Sequence, residues 1–137
     1  MKPKAVLDTS FLVEHFRKGN APEVFGHLNK SYHVVFSCVV LMELFSGAYD
    51  RKEQRLLEQI RKNFMVVPVT ERQWCIAGEV MLKLRRDKKV GPLRIKSLLA
   101  DILIAVSSRD IGAVVVTRND KDFSLIKEVF GFKLITV

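Results

Sequence analysis

Short apolar runs and longer amphipathic stretches take turns along the chain. Lys4-Ala-Val-Leu7 is an apolar run ending at Asp8 and predicts a buried strand. Thr9 and Ser10 stand where a helix is capped, and Phe11, Leu12 and Phe16 give that helix its apolar side. Gly19-Asn-Ala-Pro22 interrupts the pattern, and Pro22 suits the first turn of a second helix through about Asn29. Tyr32 to Phe36 reads as the second strand, and Ser37 opens a strongly apolar helix from Cys38 to Ala48. Lys52 to Lys62 is amphipathic, with Leu56, Leu57, Ile60 and Phe64 at helical spacing. Met65-Val-Val67 is a third short strand, stopped by Pro68.

Thr70 and Gln73 have the spacing of a capping box, and the helix behind them places Ala77, Val80, Met81 and Leu84 at offsets of three and four. Arg85 to Lys96 reads as a basic connection broken at Gly91-Pro92. Ser97 is the expected cap of a helix from Leu98 to Arg109, ended by Gly112. Ala113 to Val116 is the fourth strand, Asp120 to Val129 a helix, and Lys133 to Thr136 the last strand.

Alternation of strands and helices implies a parallel sheet covered on both faces. The expected architecture is a three-layer α/β/α sandwich with about five central strands, formed by one domain spanning residues 1–137. Ligands of such sheets gather at the carboxyl ends of the strands. Asp8 directly follows the first strand, and Thr117 to Asp122 follow the fourth.

Composition adds a charge argument. Lys and Arg number 23 against 15 Asp and Glu, a net charge of +8 that suits a polyanionic partner as well as plain solubility. No apolar run is long enough to span a bilayer and the N-terminus lacks a signal-peptide pattern, so a cytoplasmic location is expected. Cys38 and Cys75 share no short spacing and are expected as buried packing residues. His15, His27 and His33 form no pair at metal-ligand spacing and are expected at the surface or in turns. Trp74 and most of the phenylalanines lie at core-like spacings, which argues against a base-stacking platform.

Three acids stand where acids are costly. Asp8 ends an apolar strand, Glu43 lies within Val39-Val-Leu-Met-Glu-Leu-Phe45, and Asp101 interrupts Leu98 to Val106. Removing an ionised carboxylate from water without compensation costs several kcal/mol as an order of magnitude. Singly, each has an ordinary role open to it: Asp8 as a helix cap, Glu43 on a narrow exposed stripe, Asp101 in the first turn of its helix. Asp122, three residues after Asn119, could belong to a local cap. Taken together, Asp8, Glu43, Asp101 and Asp122 form an expected cluster that needs divalent cations between its members. An all-oxygen donor set without Cys or His selects Mg²⁺ or Mn²⁺.

With these residues in place, the sequence resembles the PIN-domain family, in particular the VapC-like toxins of prokaryotic toxin–antitoxin pairs. The resemblance is carried by Val6-Leu-Asp-Thr-Ser10, Met42-Glu-Leu44, Ala100-Asp-Ile-Leu-Ile-Ala105 and Val116-Thr-Arg-Asn-Asp-Lys-Asp-Phe123, in that order over nearly the whole chain. It implies a Mg²⁺- or Mn²⁺-dependent endoribonuclease, often a homodimer, with a cognate antitoxin as partner. Carried over residue by residue, Asp8 and Asp101 are the principal metal ligands, and Glu43 completes the metal site or orients the attacking water. Thr9, Ser10, Thr117 and Asn119 support these carboxylates. The family's last motif carries its acid at either of two positions, here Asn119 or Asp122, with Asp120 between them; Asp122 is the expected fourth acid.

Arg85, Arg86, Lys88 and Lys89, in the connection that leads through Arg94 and Lys96 to Asp101, are the expected contacts to the RNA backbone; a solvated loop is the alternative. A non-catalytic RNA-binding or scaffolding module of the same fold is the competing function, distinguished by loss of central acids. A phosphatase-like site is disfavoured because Asp8-Thr9-Ser10 lacks a second aspartate and no Gly-rich phosphate loop exists.

Overall fold

The computed structural model describes all of residues 1–137. The chain runs β1 (Lys4–Leu7), α1 (Thr9–Lys18), α2 (Ala21–Ser31), β2 (His33–Ser37), α3 (Cys38–Ser46), α4 (Arg51–Asn63) and β3 (Val66–Val67). It continues through α5 (Glu71–Asp87), α6 (Pro92–Ser97), α7 (Leu99–Asp110), β4 (Val114–Thr117), α8 (Asp120–Lys127) and β5 (Lys133–Thr136). The five strands form one sheet in the order β3-β2-β1-β4-β5, and every neighbouring pair is parallel. Helices flank the sheet, giving the α/β/α sandwich that the alternation predicts.

The order places the first strand at the centre. Val6 faces Val35 of β2 on one side and Val115 of β4 on the other. Ala5, Val6, Leu7, Val35, Phe36 and Val115 are all at most 1% exposed, which explains why these strands read as unbroken apolar runs. Phe36 also meets Phe64 edge-on at 5.1 Å between ring centroids, and Phe25 at 6.1 Å, tying β2 to the middle of α2 and the C-terminal end of α4. On the other side, Ile102, Ile104, Ala105 and Val106 leave α7 almost wholly enclosed.

The predicted capping box is present. Gln73 donates its backbone N–H to Thr70 Oγ1 at 3.2 Å, and Gln73 Oε1 accepts the Thr70 N–H at 3.0 Å. Gln73 is buried, and its Nε2 donates to Asp110 Oδ2 at 2.8 Å, so the same side chain pins α5 to the end of α7. Thr70→Ala should therefore lower stability by about 1 kcal/mol, measured by urea unfolding. An unchanged midpoint would mean that the Gln73–Asp110 bond holds this end of α5 alone.

Three expectations are corrected. Ser97 does not cap α7: it is the last residue of α6, its hydroxyl donates to Arg94 O at 2.6 Å, and Leu98 makes the corner between the two helices. The basic connection is also shorter than predicted, because α5 continues to Asp87 and Pro92 starts α6. Finally, Cys75 is exposed and Trp74 is 51% exposed. The buried stripe of α5 is Gln73, Ala77, Val80 and Leu84, and residues 74 and 75 fall beside it. Cys38 is half-buried. Gly112, with φ of +67°, supplies the left-handed turn between α7 and β4.

Candidate metal centre

Asp8 stands at the carboxyl end of the central strand and is 3% exposed. Its backbone N–H continues the β1–β4 ladder to Val116 O at 2.9 Å. The residue occupies the N-cap position of α1, yet its side chain caps nothing. Instead Oδ2 accepts hydrogen bonds from Ser10 Oγ at 2.7 Å and from Thr117 Oγ1 at 2.8 Å. Two hydroxyls thus replace the water that burial removes. Thr117, fully buried at the end of β4, is held in turn by the Asn119 N–H at 2.9 Å.

Glu43 lies on the half-buried side of α3, and its Oε1 accepts from Thr9 Oγ1 at 2.7 Å. Adjacent residues Thr9 and Ser10 therefore orient two acids from different elements. Asp101 is in the first turn of α7, half-buried, and its Oδ2 meets Asn119 Nδ2 only at 3.5 Å. Burial, and then the charges of Asp8, Asp122 and Glu43, push the Asp101 carboxyl up to about 7 against the pull of Arg94. The fields of all four sequence-predicted acids thus overlap at Asp101.

Asp122 lies in the first turn of α8, where Asn119 Oδ1 accepts its backbone N–H at 3.3 Å. Its Oδ2 accepts from Asn119 Nδ2 at 2.9 Å, and its Oδ1 is paired with Arg94 Nη2. Burial alone would raise this carboxyl; the Asn119 and Arg94 hydrogen bonds and the Arg94 charge outweigh it and hold the group below the usual carboxylate range. Asp120 is exposed and accepts from Ser124 Oγ at 2.9 Å, outside the cluster.

The donor chemistry fits a hard cation. Asp8, Glu43 and Asp101 each turn one oxygen to a hydroxyl or amide of the chain and leave the other without a protein donor, none of these being sealed from solvent. The side chains do not close into a cage: no three of the chain's His, Cys, Asp and Glu groups stand together in a geometry that holds an ion.

Arg85, Arg86, Lys88 and Lys89 are exposed at the end of α5. Lys88 pairs at 3.6 Å with Glu128, six residues past Asp122 and about 9 Å further along the helix axis. No hydrogen bond or ion pair joins these four residues to the acids of the cluster. Arg94, from the same connection, does reach them. A groove beside the cluster is lined by Ser10, Arg17, Lys18, Arg118 and Asn119, with Glu14 bridging Arg118 at 2.5 Å and Lys18 at 2.8 Å. Sequence reasoning passed over these cations; Arg118, lying between the two supporting residues Thr117 and Asn119, was the available signal.

Comparison with known proteins gives the same arrangement a context. Ribonuclease VapC1 of Methanocaldococcus jannaschii is 26% identical over 134 residues, covering 96% of this chain and 86% of that one. The fold matches that of DNA-bound VapBC from Salmonella typhimurium with a TM-score of 0.74 and 24% identity, over 98% of both chains. VapBC-1 of nontypeable Haemophilus influenzae matches with a TM-score of 0.71 and 19% identity over 97% of both. VapBC-5 of Mycobacterium tuberculosis, a member of the VapBC family of toxin–antitoxin systems, matches at 0.65 and 19% over 98% of both. The PIN domain model matches residues 5–129, from the central strand through the end of α8 and beyond, and the chain belongs to the PIN domain family.

Proposed function

We propose that the protein is a divalent-metal-dependent endoribonuclease, and that it acts as the toxin of a VapBC-type pair whose antitoxin is its partner. The observation that carries this reading is the pattern of half-satisfied carboxylates. Asp8, Glu43 and Asp101 are fixed through one oxygen each and keep the other available, from three separate elements around the end of the central strand. Membership in the PIN domain family and the likeness to a relative named as a ribonuclease support it. Likeness to VapBC structures supports the antitoxin partner, and a homodimer in the cytoplasm is the expected setting. No helix is long and apolar enough to cross a membrane.

Asp8 and Asp101 would hold Mg²⁺ or Mn²⁺, with Glu43 as a further ligand or as the group that orients the attacking water. When bound, the ion acidifies that water and neutralises charge gathering on the scissile phosphate. The chain's own contribution is positioning. Ser10 and Thr117 fix the Asp8 rotamer, and Thr9 holds Glu43 through Oε1 and leaves Oε2 without a protein donor. Asn119 spans Asp101 and Asp122. No side-chain nucleophile is required, so in-line attack by water leaves a 5′-phosphate and a 3′-hydroxyl.

The test is cleavage of single-stranded RNA with Mn²⁺, with and without EDTA, by the native protein and by Asp8→Asn. Cleavage by the native protein alone, abolished by EDTA and yielding 5′-phosphate ends, is expected. Ends bearing 2′,3′-cyclic phosphate would overturn the mechanism. RNA binding with equal, EDTA-insensitive background cleavage by both proteins would instead assign a non-catalytic RNA-binding module.

A further inference from the structure

The four acids of the cluster are not engaged alike. Asp8, Glu43 and Asp101 each keep an oxygen without a protein donor, whereas both oxygens of Asp122 are taken, Oδ1 by Arg94 and Oδ2 by Asn119. Each Asp122 oxygen keeps a second lone pair, but the Arg94 guanidinium paired with it neutralises the carboxylate's charge and repels a cation that approaches it, which makes Asp122 the poorest cation ligand of the four. Arg94 is placed in the opposite situation. It offers five N–H donors in a planar fork and commits Nη2 to Asp122; no other side-chain partner holds it, and its side chain is 38% exposed. Asn119, which donates to Asp122 at 2.9 Å and reaches Asp101 at 3.5 Å, sets the Arg94–Asp122 pair beside the acidic cluster. A part-exposed guanidinium that is tethered through one nitrogen and keeps free N–H donors is the form in which proteins receive a phosphodiester.

We infer that Asp122 is a positioning residue for a phosphate-binding arginine and not a metal ligand: it aims Arg94 at a backbone phosphate of the RNA strand crossing the Asp8–Glu43–Asp101 site. This inference rests on the nuclease reading above and divides its residues into two sets, three acids for the cation and the Arg94–Asp122 pair for the strand. Asn119 joins the sets through its contacts to Asp101 and Asp122. Arg118 and Lys18, held by Glu14 in the adjacent groove, offer the strand a further basic wall on the α1 side.

The deciding experiment measures metal and RNA separately. Removing Asp122 alone would also remove a negative charge near the cation, so the informative protein is the charge-neutral double variant, Arg94→Met with Asp122→Asn. Titrated with MnCl₂ alone by calorimetry in metal-free buffer, it should bind Mn²⁺ within about threefold of the native protein, while Asp101→Asn should lose binding by more than thirtyfold. With a fluorescent single-stranded RNA, Arg94→Met and the double variant should both bind about tenfold more weakly. Their salt dependence should be shallower by about 0.7 in the slope of log K against log salt, the share of one phosphate contact on a single strand. Arg94→Lys should recover the slope but only part of the affinity, because it keeps the charge and loses the fork. Circular dichroism melts of each variant establish that it is folded.

Native uptake of Mn²⁺ with the double variant as poor as Asp101→Asn would overturn the inference alone, by making Asp122 a ligand. RNA affinity unchanged in Arg94→Met would overturn it from the other side. A native protein that takes up no Mn²⁺ would bring down the nuclease reading and this inference with it.

Discussion

Asp101→Asn should abolish RNA cleavage and, at pH 8 in EDTA, make the fold harder to unfold. Both effects come from one cause. The folded protein holds the Asp101 proton up to about pH 7, whereas an unfolded chain releases an aspartate proton near 3.9. The folded state therefore binds that proton more tightly, and stability falls as pH rises between these two values. Above about 7 the full cost of an ionised, half-buried carboxylate among three other acids is present. It amounts to roughly 2–4 kcal/mol, the lower figure allowing for the solvent that still reaches the group. Asparagine carries no charge at any pH and escapes this cost. Urea unfolding of the two metal-free proteins should give a difference that is large at pH 8 and shrinks towards pH 4. Cleavage should meanwhile fall by on the order of 10²–10³, since losing a metal ligand exceeds the 10–100-fold typical of its supporting partners. A variant that is no more stable than the native protein at pH 8 would show that Asp101 is not the strained member of the cluster.

Addition of Mn²⁺ should stabilise the native protein by an amount that depends on pH. A ligand at one hundred times its dissociation constant stabilises by about 2.7 kcal/mol, on the order of 10 °C in Tm for a domain of this size. An ion held by Asp101, as proposed, would need the carboxylate ionised, so its binding would displace the proton held up to about pH 7. Apparent affinity should thus be level above pH 7 and fall about tenfold for each unit below it. At one fixed MnCl₂ concentration, thermal melts should show the full shift at pH 8, little at pH 5.5, and none at either pH for Asp101→Asn. An equal shift in the native protein at both pH values would mean that the ion is held elsewhere, by groups already ionised at pH 5.5.

The strands around the site were legible in the sequence for a physical reason. In a parallel sheet covered on both faces no side chain of a central strand meets water, so Ala5 to Leu7 and Val114 to Val116 are apolar without alternation. The same feature exposed the acids. A carboxylate within such a run has to be compensated, and Asp8, Glu43 and Asp101 were conspicuous because nothing local could compensate all three. Helix ends were harder. A serine ahead of Leu98 looks like a cap whether its hydroxyl turns forward to α7 or, as here, back to Arg94 O. On α5, two adjacent stripes compete for the core, and only the position of the sheet decides that Ala77 and Val80 are buried while Trp74 faces out. The partners of Asp122 were legible in part. Asn119 is a neighbour in sequence, but Arg94 arrives from 28 residues away on a long flexible side chain, and no periodicity encodes such a meeting.

Placing the first strand in the middle of the sheet also sets a schedule for synthesis. Asp8 is made 109 residues ahead of Thr117, one of the two residues whose hydroxyls hold it. At about 5–20 residues per second those two groups are separated by roughly 5–20 s of translation. For most of that interval the nascent chain lacks both Asp101 and β4, and its acids have no common point to converge on. The acids can therefore be gathered at the end of β1 only after α7 and β4 have been made.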